Sequence, residues 1–280
     1  MYLRTRTSFA ILTAACVLSL AACNKMKNDD NDDNEDKGYA TEHATLEKTF
    51  SDAQSISDEA GSSGSLSNYK MLSGYTVLSN CATITNDTSV NPHELTIDFG
   101  ASNCLCADGI YRRGKILVSY TGRYKDAGHT HTTSFDGYYV NDTGVTGTKT
   151  VTNMGTDASG NPTYNISVSG AIVLANANGT VSWNSTRTRT WLSGYNTPSW
   201  KDDEFEITGN GTVTRANGKT FDMSITTPLH VARDCRWIES GVVQITPQGG
   251  NVRTLDYGNG VCDAQANYTV NGKTYSITLK

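Results

Sequence analysis

The chain has 280 residues, a net charge of −5 and a pI near 5.5, a balance that argues against nucleic acid as a partner. Charged residues make up only 18 %, while threonine, serine, asparagine and glycine are abundant. That is the composition of an extracellular β protein and not of a cytosolic helical enzyme. The length is enough for one large all-β domain or two small ones.

In chain order, residues 1–22 read as a signal peptide. Arg4 and Arg6 give a positive start, and Phe9 to Ala22 run almost wholly apolar and small, too short to span a bilayer. The run ends Leu20-Ala21-Ala22-Cys23, which resembles the lipobox of bacterial lipoproteins. Small residues let the peptidase close on an extended backbone, and the Cys23 thiol is the group that receives the lipid. Residues 23–40 read as a lipidated acidic tether. Asn28 to Asp36 contain only Asn, Asp and Glu, and such a run cannot bury enough surface to offset ordering entropy. An acidic tract behind the lipidated cysteine resembles the signal that sends lipoproteins of the Bacteroidota to the outer face of the outer membrane. The expected partner is therefore the membrane, through acyl chains that contribute ~0.8 kcal/mol per buried CH₂. The expected address is the outer membrane, with surface exposure favoured over periplasmic retention.

Residues 41–61 carry the one persuasive helical pattern. Leu46, Phe50, Ala53 and Ile56 recur at helical spacing, Thr41 can cap the start, and Gly61 follows the end. Ser62 to Ser67 read as a joint, and residues 62–280 as a single β-rich domain. There the period changes to two. Tyr164, Ile166, Val168, Ile172 and Leu174 alternate with polar residues, as do Phe221, Met223 and Ile225, and Tyr275, Ile277 and Leu279. Turn clusters such as Asn217-Gly218 and Asn271-Gly272 separate the runs. The pattern predicts an all-β antiparallel meander of about ten strands, with one N-terminal helix. Glycines in mid-run (Gly122, Gly147, Gly170, Gly209, Gly211 and Gly241) suggest a strongly curved sheet, whether barrel, half-barrel or sandwich.

Two stretches, 81–121 and 235–280, form an internal repeat. Leu95-Thr96-Ile97-Asp98-Phe99-Gly100 precedes Cys104 as Arg253-Thr254-Leu255-Asp256-Tyr257-Gly258 precedes Cys262, and Cys81 and Cys235 open the two units. With Cys16 in the signal and Cys23 lipidated, five cysteines remain for an oxidising compartment. The repeat predicts disulfides Cys81–Cys104 and Cys235–Cys262 and leaves Cys106 over, with Cys81–Cys106 as the rival pairing. No metal or cofactor is expected, because Cys104-x-Cys106 is too tight for a zinc knuckle.

Three groups could carry chemistry. His129 and His131 would share a strand face, but no third ligand is near in sequence, so they read as solvated strand histidines. Asp202, Asp203, Glu204 and Glu206 could serve acid–base chemistry on a glycoside across a cleft, or simply charge a strand end. Trp183, Arg187, Arg189 and Trp191 fall on one strand face, with Tyr195 and Trp200 following. They could form a platform that stacks sugars or cradles an acidic ligand. The bland alternative is a buried seam of arginine stems packed on tryptophan.

The segments Asn103 to Gly109, Tyr111 to Ile116, Gly147 to Asn153 and Leu255 to Gly260 resemble a family of uncharacterised lipoproteins of the Bacteroidota. The resemblance implies location and a β-rich fold, and brings no activity or functional residue. No hydrolase elbow, phosphate loop, zinc helix or dinucleotide fingerprint is present in the sequence. The expected function is a non-enzymatic binding or structural module. The alternatives are a carrier of a lipid or hydrophobic small molecule in a curved β pocket, and a glycan-active enzyme.

Overall fold

The computed structural model describes residues 29–63, 78, 81–199 and 201–279. Cys23, Trp200 and most of the joint after the helix lie outside them. One helix, α1 (Asp29–Ser63), precedes the strands. It begins inside the segment expected to be tether and runs two residues past the expected end. The run Asp29 to Asp36 forms its first turns. The buried part that starts at Tyr39 supplies the packing that a polar extension lacks by itself. Thr41 is therefore no cap but an interior residue, its carbonyl accepting the Thr45 hydroxyl at 2.8 Å. No helix among the described residues is long and apolar enough to cross a membrane.

Among the described residues fourteen strands follow, not about ten, in a single antiparallel sheet. They are β1 (Thr83–Asp87), β2 (His93–Asp98), β3 (Cys104–Leu105), β4 (Tyr111–Tyr120), β5 (Thr130–Val140), β6 (Thr143–Thr156), β7 (Pro162–Val173), β8 (Thr180–Ser193), β9 (Glu204–Thr214), β10 (Thr220–Ala232), β11 (Ser240–Pro247), β12 (Arg253–Asn259), β13 (Gln265–Val270) and β14 (Lys273–Thr278). Each pairs with its neighbour in sequence, except that β2 pairs with β4 and β3 flanks β4. The sheet is not closed: its order starts at β1 and ends at β14. The strand β3 escaped the period-two pattern because it has only two residues.

The two repeat units have matching local structure. β1 pairs with β2 as β11 pairs with β12, and in each unit the next long strand, β4 or β13, pairs back onto the second. Asp98 accepts the Gly100 N–H at 2.8 Å, and Asp256 accepts the Gly258 N–H at 2.9 Å. Both glycines sit at positive φ, and the aromatic between, Phe99 or Tyr257, is buried. These turns bring each following cysteine back to its partner. The structure pairs Cys81 with Cys104 and Cys235 with Cys262, each with 5.7 Å between Cα atoms, and leaves Cys106 free and buried.

The core lies between α1 and one face of the sheet. The helix touches β2, β4 and β5 near one end of the strand order and β13 near the other. Phe50 packs edge-on against Phe135 of β5 and Trp183 of β8, with ring centroids 5.8 and 5.7 Å away. Tyr39 meets Phe221 of β10 in the same way at 5.2 Å. The alternating apolar face thus finds its cover in a helix of the same chain.

Candidate binding site

The site is built on β8, whose sequence alternates with the pleat. Asn184 and Thr186 face outward, while Trp183, Ser185 and Arg187 face inward and are no more than 6 % exposed. The strand is paired along its length with β7 and β9, which fixes which inward residues are neighbours. Ser185 lies opposite Val168 on one side and Gly211 on the other, and Trp183 opposite Gly170 and Val213. Glycine is needed at both flanks. A Cβ on Gly170 would sit 2.2 Å from the Phe50 ring, and one on Gly211 would sit 3.0 Å from Trp183 Nε1. The two bare positions let Phe50 and the indole enter the interior.

Between α1 and this part of the sheet is a pocket of about 110 Å³. Its partly exposed side is formed by Ser51, Ser55 and Arg233, and its buried side by Trp183, Ser185, Arg187 and Lys149. Apolar residues of β7 and β9, such as Val168 and Phe205, complete the wall. The volume holds several water molecules or a small ion.

The electrostatics are unusual for an interior. Glu47 on α1 is ion-paired with Arg187, and its carboxylate also lies 3.3 Å from His43 Nε2. Burial would raise the Glu47 pKa, but Arg187, His43 and Lys149 overcome that and hold it at about 2. Lys149 of β6 donates to the Phe50 carbonyl at 3.2 Å. Burial, reinforced by Arg189, pushes Lys149 down to about 8 against the pull of Glu47 and Asp58. Asp58 accepts from Gln54 at 2.8 Å and from Arg233 at 3.4 Å. Its carboxyl is nonetheless pushed up by burial. The cations Lys149, Arg187, Arg189 and Arg233 thus outnumber Glu47 and Asp58 around one small space.

Several donors here are also left over. Trp183 Nε1, Ser185 Oγ, Arg187 Nε and Arg189 Nε are buried without a hydrogen-bond partner among the described residues. A buried polar atom without a partner costs about 1–3 kcal/mol, and most native ones are satisfied. Four on the same face of one strand, all on residues lining one pocket, form a concentration of unused donors.

Of the two readings of this strand, the surface platform is not formed. Trp183 and Trp191 are 2 % and 7 % exposed, buried because β8 turns that face toward α1. Arg187 Cζ lies 5.6 Å from the Trp183 ring centroid, so the buried-seam alternative describes this pair. Trp191 is outside the pocket, in a cluster with Tyr164, Tyr195 and Phe205. Arg189 joins the two areas: it lines the pocket, donates to the Tyr124 hydroxyl and lies over the Tyr164 and Phe205 rings.

The other candidates are not brought into the site. His131 is buried, not solvated; its Nε2 lies 2.9 Å from the Gly122 carbonyl, and burial holds its pKa at about 4. His129 contacts the Thr121 hydroxyl at 3.3 Å. Glu204 and Glu206 lie on the face of β9 opposite buried Phe205, and Asp203 is buried beside Gly194, so these acids do not face one another across a cleft. Arg112 makes a two-pronged bond to Asp108 beside Cys106, while Arg113 pairs with Asp142 and Asn103 on the surface. Among the described residues, one Cys/Glu group comes within metal-ligand distance, Cys235, Glu239 and Cys262, and its two sulfurs are joined to each other. Sequence reasoning missed Glu47, Lys149 and Arg233. Lys149 did carry a signal: it occupies an inward position between Gly147 and Val151, where the alternation calls for an apolar residue.

No family model, curated protein or solved structure matches the chain.

Proposed function

We propose that this chain is an exported, lipid-anchored binding module, non-enzymatic, that holds a small polar ligand between α1 and its sheet. The observation that carries the reading is the set of unpartnered donors lining a pocket of about 110 Å³. A structural core closes such groups on one another. The carrier alternative fits less well, because α1 fills the apolar face and the remaining space is lined by charge. The glycan reading lost its exposed tryptophans and its facing acids. Helix contacts at both ends of the strand order, and positive φ at the mid-strand residues Gly147 and Gly209, support a sheet strongly curved about α1.

The anchor reading rests on the sequence of the first 36 residues and on the family resemblance. It puts the module on the outer membrane, facing outward, with the acidic run opening the helix that lines the pocket. Two measurements test the whole reading. Metabolic labelling with an alkyne fatty acid should mark the wild type and not C23A, and the C23A protein should leave the membrane fraction. Protein purified from its own envelope and denatured should release a small polar molecule. An acyl chain or an oligosaccharide released instead would overturn the pocket assignment, and equal labelling of C23A would overturn the anchor.

A further inference from the structure

We propose that the ligand of this pocket is a small oxyanion, a carboxylate or phosphate group, received by Lys149, Arg187, Arg189 and Arg233 with hydrogen bonds from β8. The inference rests on the pocket reading above and adds the ligand's charge and class.

Charge is the first argument. Four cations line the space, and Glu47 and Asp58 are the acids paired with them, so even with both acids ionised two positive charges remain. An uncompensated charge costs several kcal/mol to bury, so an interior with a surplus of one sign is complete only with a counter-charge.

Hydrogen-bond polarity is the second. Trp183 Nε1, Arg187 Nε and Arg189 Nε can only donate, and Ser185 Oγ can do so. A ligand suited to them presents acceptors on several sides, as an oxyanion does. Guanidinium groups match the planar or tetrahedral oxygens of carboxylate and phosphate, and charge-assisted bonds of this type are the strong ones. A cation is excluded by the same surplus, and an apolar ligand would leave the donors unpaired.

Size and access are the third. About 110 Å³ accommodates a single oxyanion group and not a headgroup with its acyl chains. Entry is on the side of Ser51, Ser55 and Arg233, where Arg233 is about a third exposed and Ser51 is in solvent. Arg233 would meet the ion first, with Lys149 and β8 deeper in.

The test follows the Trp183 indole N–H in ¹H–¹⁵N spectra, assigned with W183F, on the full folded domain at fixed ionic strength. Inorganic phosphate and acetate are titrated separately, with glycerol as a neutral probe. The expected result is a saturable shift with at least one anion, weakened about tenfold or more in K149M. Retained Phe50, Phe135 and Tyr39 cross-peaks show that K149M is folded. The stronger of the two anions distinguishes phosphate from carboxylate. A saturable shift with glycerol and none with either anion overturns the anion assignment and leaves the polar pocket standing. No shift with any of the three overturns both, and equal phosphate affinity in K149M overturns the role given to the pocket cations.

Discussion

β7 and β8 lie side by side, paired over eleven consecutive positions without a register shift, and turn the same face toward α1. On β7 that face reads Tyr164, Ile166, Val168 and Ile172; on β8 it reads Trp183, Ser185, Arg187 and Trp191, with Arg189 partly covered. Ile166 and Arg187 are direct partners, as are Val168 and Ser185. Two strands with one environment and one geometry therefore carry opposite chemistries. Burial alone is met by β7, and an apolar β8 would meet it equally well. What β8 adds is charge and donors around a space, which has no use in packing. Position in the sheet explains why these residues are inside, Glu47 and Tyr124 partner the two arginines in part, and the proposed ligand would take up the donors left over.

The sharpest way to break this contrast is to truncate the paired residues in turn. Arg187→Leu removes the partner of Glu47 and leaves a buried carboxylate beside a weakened positive field. A loss of about 3–5 kcal/mol is expected. Ile166→Val, directly across the ladder, removes one methyl group and should cost only about 0.5–1.5 kcal/mol. Urea unfolding of the two variants reads the difference. Equal losses would mean that Arg187 acts as a packing stem, like its neighbour, and not as a charge.

Acid should separate the strands next. The Glu47 carboxyl lies at about 2 in the folded protein against an ordinary 4.5, held down by Arg187 of β8, His43 of its own helix and Lys149 of β6. A depressed folded pKa binds fewer protons than the unfolded chain, so the stabilisation is full above about pH 4.5 and is lost as pH falls toward 2. Its size is on the order of 3 kcal/mol. Stability measured from pH 6 to pH 2.5 should fall steeply in wild type and in I166V, and E47Q should lack that component. An unchanged slope in E47Q would show that Glu47 is not held by this pair.

A smaller effect is expected where the two strands share a glycine contact. Gly170 of β7 faces Trp183 of β8, and an added methyl would meet the Phe50 ring at 2.2 Å and the Thr146 carbonyl at 3.0 Å. Gly170→Ala should cost about 1–3 kcal/mol, because the ring can yield and the carbonyl cannot. A calorimetric scan that shows no loss would mean that α1 is free to shift away from β8.

The contrast also explains what was readable in the sequence. Alternation revealed the strand faces of β7 and β10, because apolar residues recur there at every second position. The repeat revealed which cysteines meet, because Asp98-Phe99-Gly100 and Asp256-Tyr257-Gly258 form the same turn. The residues of β8 were legible as a group, with a buried seam and a surface platform as the two readings. Arginine and tryptophan side by side suit a surface platform as well as an interior, and what decides is α1, which is more than a hundred residues away in sequence. Glu47 and Lys149 were illegible for the same reason: they are separated by β1 to β5 and meet only because the helix crosses the sheet's inner face. The strand count fell short at β3, whose two residues are held by β4 and not by an apolar pattern of their own.

The mildest test concerns Lys149, which lies one strand beyond β7, in register with Val168 and through it with Ser185. Burial and Arg189 depress it to about 8 from an ordinary 10.5, so in the absence of an anion the folded state bears a cost below pH 8. That cost disappears as pH rises from 8 toward 10.5, where the unfolded chain also gives up its proton. Lys149→Met keeps the stem and deletes the charge. It also loses the bond to the Phe50 carbonyl and the attraction of Glu47, so a net gain of about 1 kcal/mol at pH 7 is expected, shrinking toward pH 10.5. Adding the bound anion should reverse the order, because the wild type then has a partner for its lysine and the variant does not. Paired unfolding curves at pH 7 and pH 10, with and without phosphate, measure this directly. If K149M is less stable than wild type at pH 7 by the same amount with and without phosphate, then the lysine belongs to the packing of the inner face, as Val168 does, and not to a binding site.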